Sequence, residues 1–143
     1  MTAATKRWFI QFGVRLISVT YIVLGVLGFL PFSFINPMHH GGIEAHYLLG
    51  LVAINWIHNV IHLGIGTFGL WAGDDLARCR LWGRVTGPVL LLVFAAGVAQ
   101  AMLEGYPADQ MLLGLVPLNS PGHMLHFATG GLAVFLGWAR VPE

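Results

Sequence analysis

An all-α integral membrane fold, four transmembrane helices set as two repeated hairpins with both termini cytoplasmic, is what the sequence predicts. Three observations carry that expectation. The chain of 143 residues is 57% hydrophobic and only 9% charged, with a mean hydropathy of +0.76. Soluble domains carry about 25% charged residues. Apolar tracts fall at about Val14–Leu30, Trp56–Ala72, Val85–Leu103 and His123–Trp138, each near the ~17–25 residues that cross a bilayer as a helix. Finally, the second half of the chain echoes the first.

The same composition excludes whole function classes. A net charge of +1 without a large basic cluster leaves no footprint for nucleic acid. One cysteine leaves no disulfide framework and no cysteine-rich zinc site. The alternating pattern of a membrane β-barrel is absent, so helix is the expected spanning state.

The first tract follows Lys6 and Arg7, as in a signal peptide, but it runs on, carries Arg15 and lacks a small-residue cleavage site. It is expected to be retained. Orientation follows from the basic residues. Lys6, Arg7, Arg15, Arg78, Arg80, Arg84 and Arg140 are the full set, and all fall at the two ends or between tracts 2 and 3. The positive-inside bias places that side in the cytoplasm. Trp8, Trp71, Trp82 and Trp138 fall at the same boundary, where an indole can keep its N–H among headgroups. Cys79 lies between Arg78 and Arg80 and reads as a cytoplasmic thiol, and Asp74-Asp75 as a solvated loop. Pro88 reads as near the first turn of its helix.

The histidines show the opposite bias. His39, His40, His46, His58, His62, His123 and His126 all fall on or near the extracytoplasmic side. An offset of 64 aligns Leu48-Leu-Gly-Leu-Val52 with Leu112-Leu-Gly-Leu-Val116, then Asn55 with Asn119, His62 with His126 and Gly66 with Gly130. A weaker echo at an offset of 66 links Val19-Thr20 with Val85-Thr86. One domain over residues 1–143 is therefore expected, with repeats at about 8–73 and 78–140, related by a two-fold along the membrane normal. Asn55 and Asn119 read as helix N-caps, with Pro121 tolerated in the first turn that follows. The Leu-Leu-Gly-Leu-Val segments before them read as apolar pieces at the outer interface. Gly66 and Gly130 would let helices 2 and 4 approach closely.

At Asn55-Trp-Ile-His58-Asn59-Val-Ile-His62-Leu63, again at Val116-Pro-Leu-Asn119 and Leu125-His126, and at Leu24-Gly-Val-Leu-Gly28-Phe-Leu-Pro31, the chain resembles domain-of-unknown-function family 4383. These are small bacterial four-span membrane proteins. The resemblance implies four helices in the inner membrane and supplies no activity. This chain carries Gly122-His123 where the family usually shows Asp-Asn, a departure that adds a histidine.

His58 and His62, at i and i+4, share one helix face; His123 and His126, at i and i+3, share another. Ionisable groups inside a membrane tend to face the bundle interior and mark candidate sites. Three readings remain open. Neutral imidazoles could serve as polar glue, bonded to backbone carbonyls or Asn across helix interfaces, in a structural or accessory bundle that packs as a homo-oligomer or with another membrane protein. They could bind a transition metal (Zn, Cu or Ni) through His58, His62, His123 and His126, with Glu104 or Asp109 as an oxygen ligand. Or His62 and His126 could ligate a haem on the two-fold. Gln100 would hydrogen-bond the cluster, and the loop residues His39, His40, Glu44 and His46 read first as a solvated loop beside Gly41-Gly42, with a collecting patch or an outward extension of a metal site as the alternatives. Tyr21 and Thr129 read as ordinary polar residues of membrane helices. No nucleophile–base pattern, phosphate loop or carboxylate pair points to catalysis.

Overall fold

The computed structural model describes residues 2–30, 37–38, 43–105 and 109–141. His39 and His40 lie outside the described residues. Among the described residues four helices make the fold: α1 (Ala3–Leu27), α2 (Trp56–Ala72), α3 (Leu76–Glu104) and α4 (Ser120–Trp138). Of these, α1 and α3 are long and apolar enough to cross a membrane.

Helix starts follow the capping rules. Each first turn leaves backbone N–H groups without a helical partner, and a side-chain oxygen just before the helix accepts from one of them. Thr2 Oγ1 accepts from Thr5 N at 3.2 Å, and Asp75 Oδ1 from Arg78 N at 2.9 Å. Asp74 and Asp75 are exposed residues of the α2–α3 connection, as expected, and Asp75 also caps α3, which begins before the arginines. Pro88 consequently lies well inside α3, not near its first turn.

The Leu-Leu-Gly-Leu-Val segments take a form that the sequence did not announce. Each is the tip of a small antiparallel hairpin. β1 (His46–Leu48) pairs with β2 (Val52–Ile54) in the register His46↔Ile54. β3 (Gln110–Leu112) pairs with β4 (Val116–Leu118) in the register Gln110↔Leu118. The tips need two successive residues with positive φ, and glycine takes one place. Leu49 and Leu113 take the other, at φ 54° and 53°, a conformation that costs a non-glycine residue about 1 kcal/mol. Sequence periodicity gives no sign of strands this short.

α1 packs chiefly on α2, and α3 on α4. A Cβ on Gly66 would stand 2.6 Å from the Ser18 carbonyl oxygen of α1, and one on Gly130 would stand 3.2 Å from the Gly87 oxygen of α3. Both glycines therefore close the seam inside their own hairpin, not an approach of α2 to α4. A face of small residues is what lets two backbones come together.

Both chain ends and the α2–α3 connection share one end of the bundle; the strand hairpins cap the other. At the first end Arg15 pairs with Asp74 at 2.7 Å. Arg80 and Arg84 donate to the last carbonyls of α4, those of Ala139 and Gly137, at 3.1 and 3.0 Å. These cations supply donors that the helix terminus lacks. Trp8, Trp71 and Trp138 are exposed at this end, but Trp82 is fully buried, donating from Nε1 to the Ile65 carbonyl at 3.2 Å. Cys79 is also fully buried, with its Sγ bonded to the Ala72 carbonyl at 3.2 Å. Both were expected at a surface. α3 starts early enough to carry them into the core beside Ile10, Val14, Ile17, Tyr21 and Leu136.

Large apolar side chains on every helix point outward, among them Leu16, Val23, Ile61, Val85, Leu92, Phe127 and Phe135. Ser18, Asn55, His58, Asn59, His62, Thr86, His123 and His126 are buried.

Candidate functional site

The hairpin end is held by a reciprocal exchange between the halves. Asn55 Oδ1 accepts from His58 N at 2.9 Å, and its Nδ2 donates to the Leu115 carbonyl in the opposite tip at 2.7 Å. Asn119 Oδ1 accepts from Gly122 N at 3.2 Å, and its Nδ2 donates to the Leu51 carbonyl at 2.7 Å. Each asparagine thus caps its own helix and ties down the other half's turn. Their backbones match, at φ −146° for both. The exchange fixes the starts of α2 and α4 side by side, and the histidines one and two turns further on inherit that placement.

His58, His62 and His126 come together. Their nitrogens all lie within 4.8 Å of one another. The ring centroids are 4.3 Å apart for His58–His62, 5.8 Å for His58–His126 and 6.3 Å for His62–His126. A hydrogen bond with the Ala53 backbone holds the His58 ring. Among the described residues, His58 Nδ1, both nitrogens of His62 and His126 Nδ1 are buried without a hydrogen-bond partner. Buried polar atoms are nearly always paired, and leaving one unpaired costs about 1–3 kcal/mol. His123 and Asn59 carry unpaired buried atoms as well; what sets His58, His62 and His126 apart is that theirs converge. A cavity of about 80 Å³ opens against all three rings, walled by Ile65, Leu90 and Val116 among others.

His123 does not join them. His123 stands one residue, about 100° of helix rotation, past position 122, the counterpart of His58, and its ring faces α3. There it packs on Gly97, where a Cβ would stand 2.9 Å from His123 Nδ1, and edge-on to Phe94 with centroids 6.4 Å apart. Asn59, its counterpart at the 64-residue offset, faces α1 at Gly28 in the same way. Glu104 is exposed and accepts from Gln100 Nε2 at 2.8 Å, so neither residue reaches the imidazoles. Asp109 accepts a hydrogen bond from the Tyr47 hydroxyl.

Tyr21 completes the site from α1. Its ring meets His62 edge-on, centroids 4.9 Å apart. Thr129 Oγ1 donates to the Leu125 carbonyl at 2.6 Å, so the Tyr21 hydroxyl is the donor in its 2.9 Å bond to Thr129. That bond crosses 108 positions of sequence, and no local pattern announces it.

Above the site, Tyr47 and His46 belong to β1. Burial first, then the Asp109 hydrogen bond and charge, push the Tyr47 phenol up to about 12. Burial holds the His46 imidazole below its ordinary range, offset in part by a hydrogen bond with the Gly28 backbone and by the Glu44 charge. The shift favours the neutral form of His46 near pH 7, where the Tyr47 phenol is neutral in any case.

No curated protein and no solved structure matches the chain. The family described as "Domain of unknown function (DUF4383)" matches residues 11–139, and the chain belongs to it.

Proposed function

We propose that this DUF4383 chain is a four-span membrane protein holding one transition-metal ion on His58, His62 and His126, near the extracytoplasmic face. The observation that carries the metal is the convergence of unpaired, buried imidazole nitrogens within 4.8 Å. The alternative of polar glue needs those same nitrogens bonded to neighbouring helices, and they are not. Two histidines at i and i+4 can share one ion, and imidazole suits copper and zinc. All three ligands are neutral, so the ion keeps its whole charge in a medium where burial cost rises steeply with charge. That favours Cu⁺, or Zn²⁺ carrying a hydroxide in the cavity. The cavity of about 80 Å³ is small beside the roughly 300–1,000 Å³ pockets of organic ligands and cofactors, which favours an ion over haem.

Support for four spans comes from the inverted surface, apolar outside and polar inside, which hydrocarbon tolerates and water penalises. With 17 and 19 residues, α2 and α4 reach about 26 and 28 Å at 1.5 Å per residue. Every lysine and arginine lies toward the end that carries the termini, and the positive-inside rule then sets both termini in the cytoplasm of a bacterial inner membrane. The two halves read as a parallel repeat, supported by the matched hairpins and the exchanged asparagines.

Elemental analysis of the protein purified in mild detergent tests the reading. One equivalent of copper or zinc is expected, lost in His62→Ala/His126→Ala and kept in His123→Ala. A preparation that stays metal-free after incubation with Cu⁺ or Zn²⁺, or binds equally well in the double variant, would return the histidines to a packing role.

A further inference from the structure

At the end opposite the imidazoles a second cavity runs between α1 and α4. It has a volume of about 320 Å³ and is lined by Lys6, Phe9, Ile10, Phe135, Ala139 and Arg140. We propose that this groove binds one anionic phospholipid, its phosphate between Lys6 and Arg140 and the start of an acyl chain along Phe9, Ile10 and Phe135. The inference rests on the membrane reading above and is independent of the metal.

Charge singles out the place. Most cations at this end are committed. Arg15 pairs with Asp74 and Arg78 with Asp75. Arg78 also lies over the Trp71 ring and Arg84 over that of Trp138, at 4.8 and 5.7 Å. Arg80 and Arg84 donate to α4 carbonyls. Among the described residues Lys6, Arg7 and Arg140 have no ion-pair partner, and of these only Lys6 and Arg140 line the groove. Two uncommitted cations at the mouth of an apolar slot match a ligand that is anionic at one end and apolar at the other.

Shape agrees. The corresponding corner between α2 and α3 is spanned by Gly73-Asp74-Asp75, and the buried Trp82 indole fills the space beside it. Between α1 and α4 no connection crosses, and the aromatic walls Phe9 and Phe135 stay exposed. A volume near the low end of known ligand pockets takes a headgroup phosphate and part of one chain, not a whole lipid.

Native mass spectrometry of the full chain, released from phosphatidylcholine nanodiscs doped with phosphatidylglycerol, reads the retained lipid. Phosphatidylglycerol should be kept over phosphatidylcholine by at least about tenfold, the ratio two cations supply toward a phosphate whose charge no choline cancels. Lys6→Gln/Arg140→Gln should abolish the preference, and Ala139→Trp, which fills the slot but leaves both charges, should abolish retention. Each variant is checked for unchanged helix content and melting. Equal retention of the two lipids by the native chain, or a preference that survives either change, overturns the lipid site. Recovery of the native chain in the detergent-free aqueous fraction would instead overturn the membrane reading on which the site depends.

Discussion

Residues 46–72 and 110–138 set out the same parts in the same order: a strand, a tip of leucine and glycine, a second strand, an asparagine cap and a helix. The φ angles at the two tips agree within 1° (54° and 71° against 53° and 70°). What they mount on that frame differs. The first half sends His58 and His62 to the centre; the second sends only His126, because Gly122 stands where His58 would be repeated and the extra histidine sits one position on. One position is about 100°, enough to turn His123 from the centre to its own hairpin partner. The resulting arrangement is two-plus-one, and the cavity beside the three rings opens toward α3 at Val89, Leu90 and Val93. A symmetric frame thus carries an asymmetric, open site.

The largest expected effect tests the seam beneath the site. A Cβ on Gly87 would stand 2.6 Å from Val134 N, so Gly87→Leu must part α3 from α4. It should cost about 3 kcal/mol, read as a lower midpoint of unfolding in detergent, whereas Gly64→Leu, where a Cβ meets nothing, should leave the midpoint near native. Equal effects at both positions would contradict the packing.

Next comes the exchange of asparagines. Asn55→Ala and Asn119→Ala should each cost about 2 kcal/mol, a cap plus one buried hydrogen bond. Because each residue anchors the other's turn, the double variant should lose less than the sum. Strict additivity would mean that the two halves are not coupled here.

The smallest effect bears on the two-plus-one arrangement. Gly122→His would restore the counterpart of His58 and offer a fourth imidazole. Competition with a chelator should show metal held about tenfold more tightly, equivalent to about 1.4 kcal/mol. Unchanged or weaker binding would show that position 122 does not face the ion.

Much of the candidate site was legible because it is local. An asparagine before an apolar helix marks a cap, and i, i+4 spacing puts two imidazoles on one face whatever surrounds them. The repeated Asn, His and Gly marked corresponding positions in the halves. The same spacing logic could not separate His123 from its neighbours, since i+3 and i+4 count equally as one face until a second helix defines the direction that matters. The strands were missed because three-residue segments rich in leucine carry no period.

By itself the sequence determined what depends on near neighbours along the chain: four helices, their capped starts, and the segregation of arginine from histidine. Tertiary structure decided what depends on partners tens of residues away. It brought Tyr21 to Thr129, buried Trp82, gave Gly66 to α1 and Gly130 to α3, and sent three histidines of four to one point. The physical reason is that a helix fixes the angles between its own side chains, while the neighbour each angle meets is chosen only when whole helices pack.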